Sequence, residues 1–202
     1  MSDLGSAFEA TLSGARENHE RAWAELYRIY FPKVLGYLRA RRVPDPDDVA
    51  GEVFLQVVRD LQRFEGDESA FTAWIFTIAH HRMLDGIRYR SRRPEEPRDR
   101  LPEPAPGDAE QDALATLEER RILDTLAVLS RNQQAVVLLR LFGGLTAPQV
   151  AKILGKTIGA VKSLQHRAFE LLRDELAPSA GPPTTPPDTD SGLRDAMQKE
   201  TR

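Results

Sequence analysis

In "VKSLQHRAFELL" the polar residues Lys162, Ser163, His166 and Arg167 recur every three or four positions. On a helix that spacing gathers two cations, a hydroxyl and an imidazole on one face. Such a face donates to phosphate oxygens and reaches base edges in a major groove. Lys156, Thr157 and Gly159 stand at its leading end. A second set lies in "HHRMLDGIRYRSRR", where Arg82, Arg88, Arg90, Arg92 and Arg93 follow Trp74 and flank Tyr89. Cations interleaved with aromatics suit a surface that tracks a nucleic-acid backbone and stacks opened bases. Both sets also fit a bland reading: any solvated helix face carries cations, and cations at a helix C-terminus offset its dipole.

Catalytic chemistry has no comparable footing. The four histidines, His19, His80, His81 and His166, show neither HxxxH nor HExxH spacing, and there is no cysteine. Disulfides, thiolate nucleophiles and cysteine-based zinc sites are therefore absent. No nucleophile stands with a base, and no carboxylate pair reads as a metal site. The expectation is a protein that is not an enzyme, with no catalytic residue, no metal and no cofactor.

The elements that must position these faces read as helices throughout. No credible strand alternation occurs, so the expected class is all-α. Trp23, Leu26, Tyr27, Tyr30, Val34 and Leu38 keep helical spacing, with Pro32 expected to break or kink the pattern. Asp45, Asp47 and Asp48 suit the positive end of the next helix, along which Val49, Val53, Val57 and Leu61 form an apolar ridge. Phe71, Trp74, Ile75, Ile78 and Ile87 supply a further buried stripe, and Ile122, Leu126 and Leu129 another. Ser130 with Gln133, and Thr146 with Gln149, read as capping boxes. Gly143-Gly144 ends the first of those helices. In the second, Val150, Ala151 and Leu154 are expected to point inward before Gly155 turns the chain. Thr157 then caps a last helix with Ile158, Val161, Leu164, Ala168 and Leu171 inward. Small Ala151, turning Gly155 and β-branched Val161 form the spacing that lets two helices cross near a right angle, as in a helix-turn-helix.

The chain's 202 residues suffice for one ordinary domain or two small ones. Its net charge of −3 argues against a nucleic-acid binder until its distribution is considered. Residues 94–112 carry seven acids against two bases, whereas residues 118–176 carry nine bases against six acids. The acidic stretch, with five prolines, lacks the apolar surface to offset its ordering entropy and reads as a mobile, extended linker. The tail from Ala177 reads as disordered. No apolar run of transmembrane length occurs, and "MSDLGSAFEA" has no basic start or apolar stretch of a secretory signal. A cytoplasmic protein without membrane insertion is expected.

In order and spacing, "AWAELYRIYFPKVLGYLRAR", "DPDDVAGEVFLQVVRDLQRF", "FTAWIFTIAHHRMLDGIR" and "LTAPQVAKILGKTIGAVKSLQHRAFELLRDEL" resemble the extracytoplasmic-function (ECF) sigma factors of bacterial RNA polymerase. The resemblance implies two small helical domains joined by a flexible acidic linker. Residues 1–93 would be domain two, 94–114 the linker, 115–176 domain four with the helix-turn-helix, and 177–202 a disordered tail. It implies core RNA polymerase and promoter DNA as partners, with an anti-sigma protein as a further one. Domain two would melt and read the minus-ten element through the base-capturing loop Gly66, Asp67, Glu68 and Ser69. The helix carrying Trp74, His81, Arg82, Arg88, Arg90, Arg92 and Arg93 would act with it. Asp48, Glu52, Gln56 and Arg59 would face the polymerase clamp helices. Lys156, Thr157, Gly159, Lys162, Ser163, His166 and Arg167 would read the minus-thirty-five element. The chain departs from the family pattern at Gly51, His81 and Gly86. The rival reading is a stand-alone helix-turn-helix regulator with an N-terminal sensor or dimerisation domain.

Overall fold

The computed structural model describes residues 3–92 and 121–176, and every regular element among them is helical. The acidic stretch and the tail lie outside the described residues. Four helices make the first half: α1 (Asp3–Arg16), α2 (Glu20–Ala40), α3 (Pro46–Asp60) and α4 (Glu68–Arg92), with a 3₁₀ turn at Leu61–Arg63. Four more make the second: α5, whose described part is 121–127, then α6 (Arg131–Gly143), α7 (Ala147–Leu154) and α8 (Ile158–Leu176).

Helix α2 is the beam of the first bundle and packs against α1, α3 and α4. Its Leu26, Tyr30, Val34, Tyr37 and Leu38 are all buried, which holds it continuous through Pro32, where a break was expected. Proline deprives the Arg28 carbonyl of its helical donor, but Arg28 and Pro32 both face solvent, and water can supply that bond. Against α2 lie Ala50, Val53, Phe54 and Val57 of α3 and Phe71, Ile75, Phe76, Ala79 and Met83 of α4, all buried. The rings of Tyr30, Phe64, Phe71 and Trp74 meet at centroid distances of 5.1–5.6 Å, mostly edge-on or tilted.

One buried polar pair sits in this core. The Tyr37 hydroxyl lies 2.8 Å from His80 Nδ1, and both side chains are buried. Burial, with the nearby Arg41 and His81 charges, holds the His80 imidazole down to about 4, so it is neutral at ordinary pH. Neutral imidazole can then accept from the Tyr37 O–H, whose own pKa is raised by burial.

In the second half, Ser130 accepts from the Gln133 N–H while Gln133 accepts from the Ser130 N–H, so the expected capping box closes. Gly144, at φ 60°, ends α6 in the left-handed region. Gln149 likewise accepts from the Thr146 N–H at 2.8 Å at the start of α7. Several expected inward residues prove exposed: Tyr27 (48%), Ile87 (42%), Ile122 (59%), Ile158 (45%) and Leu171 (41%). Ile158 is the first residue of α8, and Ile87 and Leu171 lie in the later turns of α4 and α8. Val49, Leu154 and Leu164 are half-buried, and Ile153 takes a buried position not assigned to it.

The halves do not stand apart. Helices α6 and α7 pack on α2 and α4, and a single cluster of buried apolar residues runs through both.

Candidate nucleic-acid interface

The helix-turn-helix is built by α7 and α8. Gly155, at φ 61°, supplies the left-handed turn, and the Lys156 N–H reaches back to the Ala151 carbonyl at 2.9 Å. The Thr157 hydroxyl accepts from the Ala160 N–H at 3.1 Å and starts α8. Val161 and Ala168 are then buried against the other helices. That register turns Lys162, Ser163, His166 and Arg167 outward together, with Thr157 and Gly159 exposed at the leading end and Lys156 half-buried. Arg167 Nε leans on the Ser163 carbonyl at 3.3 Å, and His166 Nε2 lies 3.4 Å from Glu170. Both interactions are on the solvent side and can be exchanged for a ligand's oxygens.

The first half offers a loop and a helix. Gly66 adopts φ 142°, and a Cβ there would fall 2.7 Å from that of Ala70, so the turn into α4 needs glycine. Asp67 Oδ1 accepts from the Ala70 N–H at 2.8 Å, which commits this carboxylate to capping α4. Glu68 and Ser69 are exposed beside it. Together with Phe8, Leu12 and Arg16 of α1, the loop encloses an open cavity of about 760 Å³. Trp74 is half-buried, stacked on Phe64 at 5.1 Å, so its ring is engaged with the core. His81 is exposed, and Arg88 is exposed and pairs with Asp85 at 3.1 Å. Arg90 and Arg92 fall in the last turns of α4, and Arg93 lies outside the described residues.

Arg82 joins two of the expected surfaces. Its Nε donates to Gln56 Oε1 at 3.1 Å, and its Nη1 lies 3.7 Å from Glu52. Asp48, Glu52 and Arg59 are exposed on α3, and Gln56 is half-buried under Arg82. An apolar groove along α2 and α3 is the feature that reasoning from α3's ridge missed. Trp23, Ala24, Tyr27, Phe54, Leu55 and Val58 line about 830 Å³, with Leu55 58% and Val58 49% exposed. The signal for it was that α3 is apolar on two faces, and a helix apolar all round is buried on more than one side.

The model of Sigma-70 region 2 matches residues 26–93, and that of Sigma-70 region 4 matches residues 111–172. The ECF RNA polymerase sigma factor SigD of Mycobacterium tuberculosis is 33% identical over 184 residues, covering 87% of each chain. The chain belongs to the ECF sigma factors of RNA polymerase. The sigma factor ShbA of Streptomyces griseus is 34% identical, over 85% of this chain and 96% of its own. A sigma factor binds core RNA polymerase and directs it to promoters. With region 2 accounting for the first half, the stand-alone regulator with a sensor domain is not favoured. Solved structures bear on the fold: CnrH, in complex with the cytosolic domain of CnrY, superposes with TM-score 0.59 at 24% identity, covering 83% of this sigma factor and 95% of CnrH. RpoE of Bartonella quintana, in complex with the anti-sigma factor NepR, superposes with TM-score 0.57 at 20% identity, covering 77% and 98%.

Proposed function

We propose that this sigma factor divides its work among three faces. The outward residues of α8, from Lys156 to Arg167, read the minus-thirty-five element in duplex form, where Lys and Arg meet phosphates and base edges. The Gly66–Ser69 loop and α4, with His81, Arg82, Arg88 and the closing arginines, take the opened minus-ten strand. The α2–α3 groove, whose lining includes Glu20 and Arg28, receives the polymerase clamp helices together with Asp48, Glu52, Gln56 and Arg59 of α3. Domain two then spans residues 1–93 and domain four 115–176, joined by the acidic linker of 94–114 and followed by the tail of 177–202. The protein acts as an initiation factor in the cytoplasm and is not itself an enzyme. An anti-sigma partner is part of this reading, because RpoE of Bartonella quintana was solved with the anti-sigma factor NepR bound.

The observation that carries the polymerase assignment is the groove. Leu55 and Val58 are apolar and about half or more exposed on a helix whose opposite face already fills a core. Burying a leucine-sized side chain is worth about 1.5–3 kcal/mol. Leu55→Asp with Val58→Asp should therefore weaken association with core polymerase at least tenfold in a pull-down. Thermal melting should stay unchanged, since neither side chain is in the core. Run-off transcription with core polymerase should fall in parallel. Unaltered affinity in the double variant would refute the groove as the docking face.

A further inference from the structure

Helix α1 precedes the residues matched by Sigma-70 region 2, which begin at Leu26, and none of the three faces is built on it. We infer that α1 is the fixed wall against which the Gly66–Ser69 loop is set, and that Arg16 is the residue that positions this loop for base capture. The inference deepens the assignment of the loop to the minus-ten strand and rests on it.

The wall is itself anchored. Leu12 and Ala15 are buried, and a Cβ at Gly14 would lie 3.1 Å from that of Ala22 on α2, so α1 and α2 approach closely there. Asn18, at φ 60°, turns the chain back, and the His19 N–H donates to the Gly14 carbonyl at 2.8 Å. The Phe8 ring meets that of Phe71 on α4 at 5.4 Å. Apolar burial and a tight turn thus fix where Arg16, the last residue of α1, stands.

From that place Arg16 reaches across to the start of the loop. Its Nη2 donates to the Phe64 carbonyl, and its own carbonyl accepts from Gln62 Nε2 at 2.7 Å. Phe64 closes the 3₁₀ turn, and Gly66 follows two residues later. The Phe64 ring is held as well, stacked on Trp74 at 5.1 Å and edge-on to Phe71 at 5.3 Å. The direction of a carbonyl is the direction of a whole planar peptide unit, here the one linking Phe64 to Glu65. Fixing that plane leaves the backbone few ways to reach Gly66, whose φ of 142° and the Asp67 cap complete the path into α4. At the loop's other end the Ser69 hydroxyl accepts from Gln149 at 2.9 Å, so Arg16 acts on the end that leads in.

Two further observations tie this contact to the loop. Arg16 Nε is buried with no acceptor among the described residues, which costs stability that an apolar side chain would not lose. The guanidinium is therefore better explained by the carbonyl it orients than by packing. The cavity of about 760 Å³ also has α1 on one side, through Phe8, Glu9 and Leu12, and residues 65–69 on the other. Among its lining groups Arg16 is the cation set against Glu9, Glu65, Asp67 and Glu68, and it lowers the repulsion that the phosphates of a strand would meet there.

The test uses the full chain bound to core polymerase, with a fluorescent single strand carrying the non-template sequence of a promoter that this holoenzyme transcribes. An abasic site is placed at each minus-ten position in turn. The penalty is the dissociation constant of the abasic strand divided by that of the intact one, so a change of charge at residue 16 cancels. The unaltered protein should show a penalty of at least about fivefold at one position or more, as expected for one stacked base. Arg16→Met should bring that penalty to within about twofold of unity. Arg16→Lys, which keeps a charge and a donor but not the planar fork, should retain part of it. Val34→Ala truncates the core of α2; it should lower the melting temperature and leave the penalty as it was, which separates positioning from stability. A full penalty in Arg16→Met would overturn the inference. Hydrogen exchange of the free chain tests it without DNA. The Ala70 amide, capped by Asp67, should exchange several-fold faster in Arg16→Met than in Val34→Ala. Equal rates in the two variants would overturn the inference as well. If no position is penalised even in the unaltered holoenzyme, the assignment of the loop to base capture fails, and the exchange rates still decide whether Arg16 sets the loop.

Discussion

Replacing His80 by asparagine tests the buried Tyr37–His80 pair. Asparagine places a carbonyl oxygen near the position of Nδ1, so it can keep the Tyr37 hydrogen bond while removing the titrating ring. In the unfolded chain the imidazole takes a proton as pH falls through about 6.5. In the folded protein it resists until about 4, because the ring is buried and Arg41 and His81 stand near. Between those values the unfolded state binds one more proton than the folded state, so stability falls with decreasing pH at about 1.4 kcal/mol per pH unit. From pH 7 to pH 5 the loss is about 2 kcal/mol, and it saturates near 3 kcal/mol below pH 4. Against a typical domain stability of 5–15 kcal/mol that is a readily measured fraction. The assay is urea unfolding of both chains at pH 7, 6 and 5, followed by tryptophan fluorescence. Both tryptophans, Trp23 and Trp74, lie in the same bundle as His80. The other histidines are common to both chains, so the difference in slope isolates His80. His80→Asn should be less stable at pH 7 but lose about 2 kcal/mol less on going to pH 5. Parallel profiles for the two proteins would refute the neutral, desolvated imidazole.

Lys162→Ala with Arg167→Ala should weaken use of a minus-thirty-five-dependent promoter, and the salt slope of DNA binding should drop by roughly one for each phosphate no longer neutralised. Core polymerase binding should be retained, and undiminished transcription would remove α8's outer face from the recognition surface. Gly155→Ala should cost about 1 kcal/mol in thermal or chemical melts, through the left-handed φ of 61° alone, since no atom crowds the new methyl. Ser130→Ala should cost about 1 kcal/mol by opening the α6 capping box, read in the same melts.

The local parts of this architecture were legible because their causes are local. Both capping boxes, the Gly155 turn and the outward register of Lys162 and Arg167 follow from residues within one or two helical turns of each other. The failures have a common origin in long-range packing. Pro32 sits inside a helix because Tyr30, Val34 and Tyr37 are held by α3 and α4, which no window around residue 32 contains. Ile87 and Ile158 keep helical spacing with buried neighbours, yet both are exposed, Ile158 at the start of α8 and Ile87 in the later turns of α4. Nothing in its local sequence distinguishes His80 from the other three histidines. Its partner, Tyr37, is 43 residues away on a different helix. Phe142 of α6 lies against Gly36 of α2, where a Cβ would fall 2.5 Å from its ring, and periodicity within either helix carries no trace of that match.

Arg82 has a consequence for how binding events influence one another. It spans from the helix assigned to single-stranded DNA to Gln56 and Glu52 on the helix assigned to polymerase. A guanidinium that turns to a phosphate releases Glu52, changing the charge that α3 presents. Polymerase and promoter strand are thereby joined by a shared residue, and whatever factor one ligand imposes on the affinity of the other must be returned equally. With 37% of the Arg82 side chain and 60% of the Glu52 side chain exposed, solvent screening keeps the pair below about 1 kcal/mol, so that factor stays under roughly fivefold. This is enough to bias the order in which the two ligands are released, and too little to make either depend on the other.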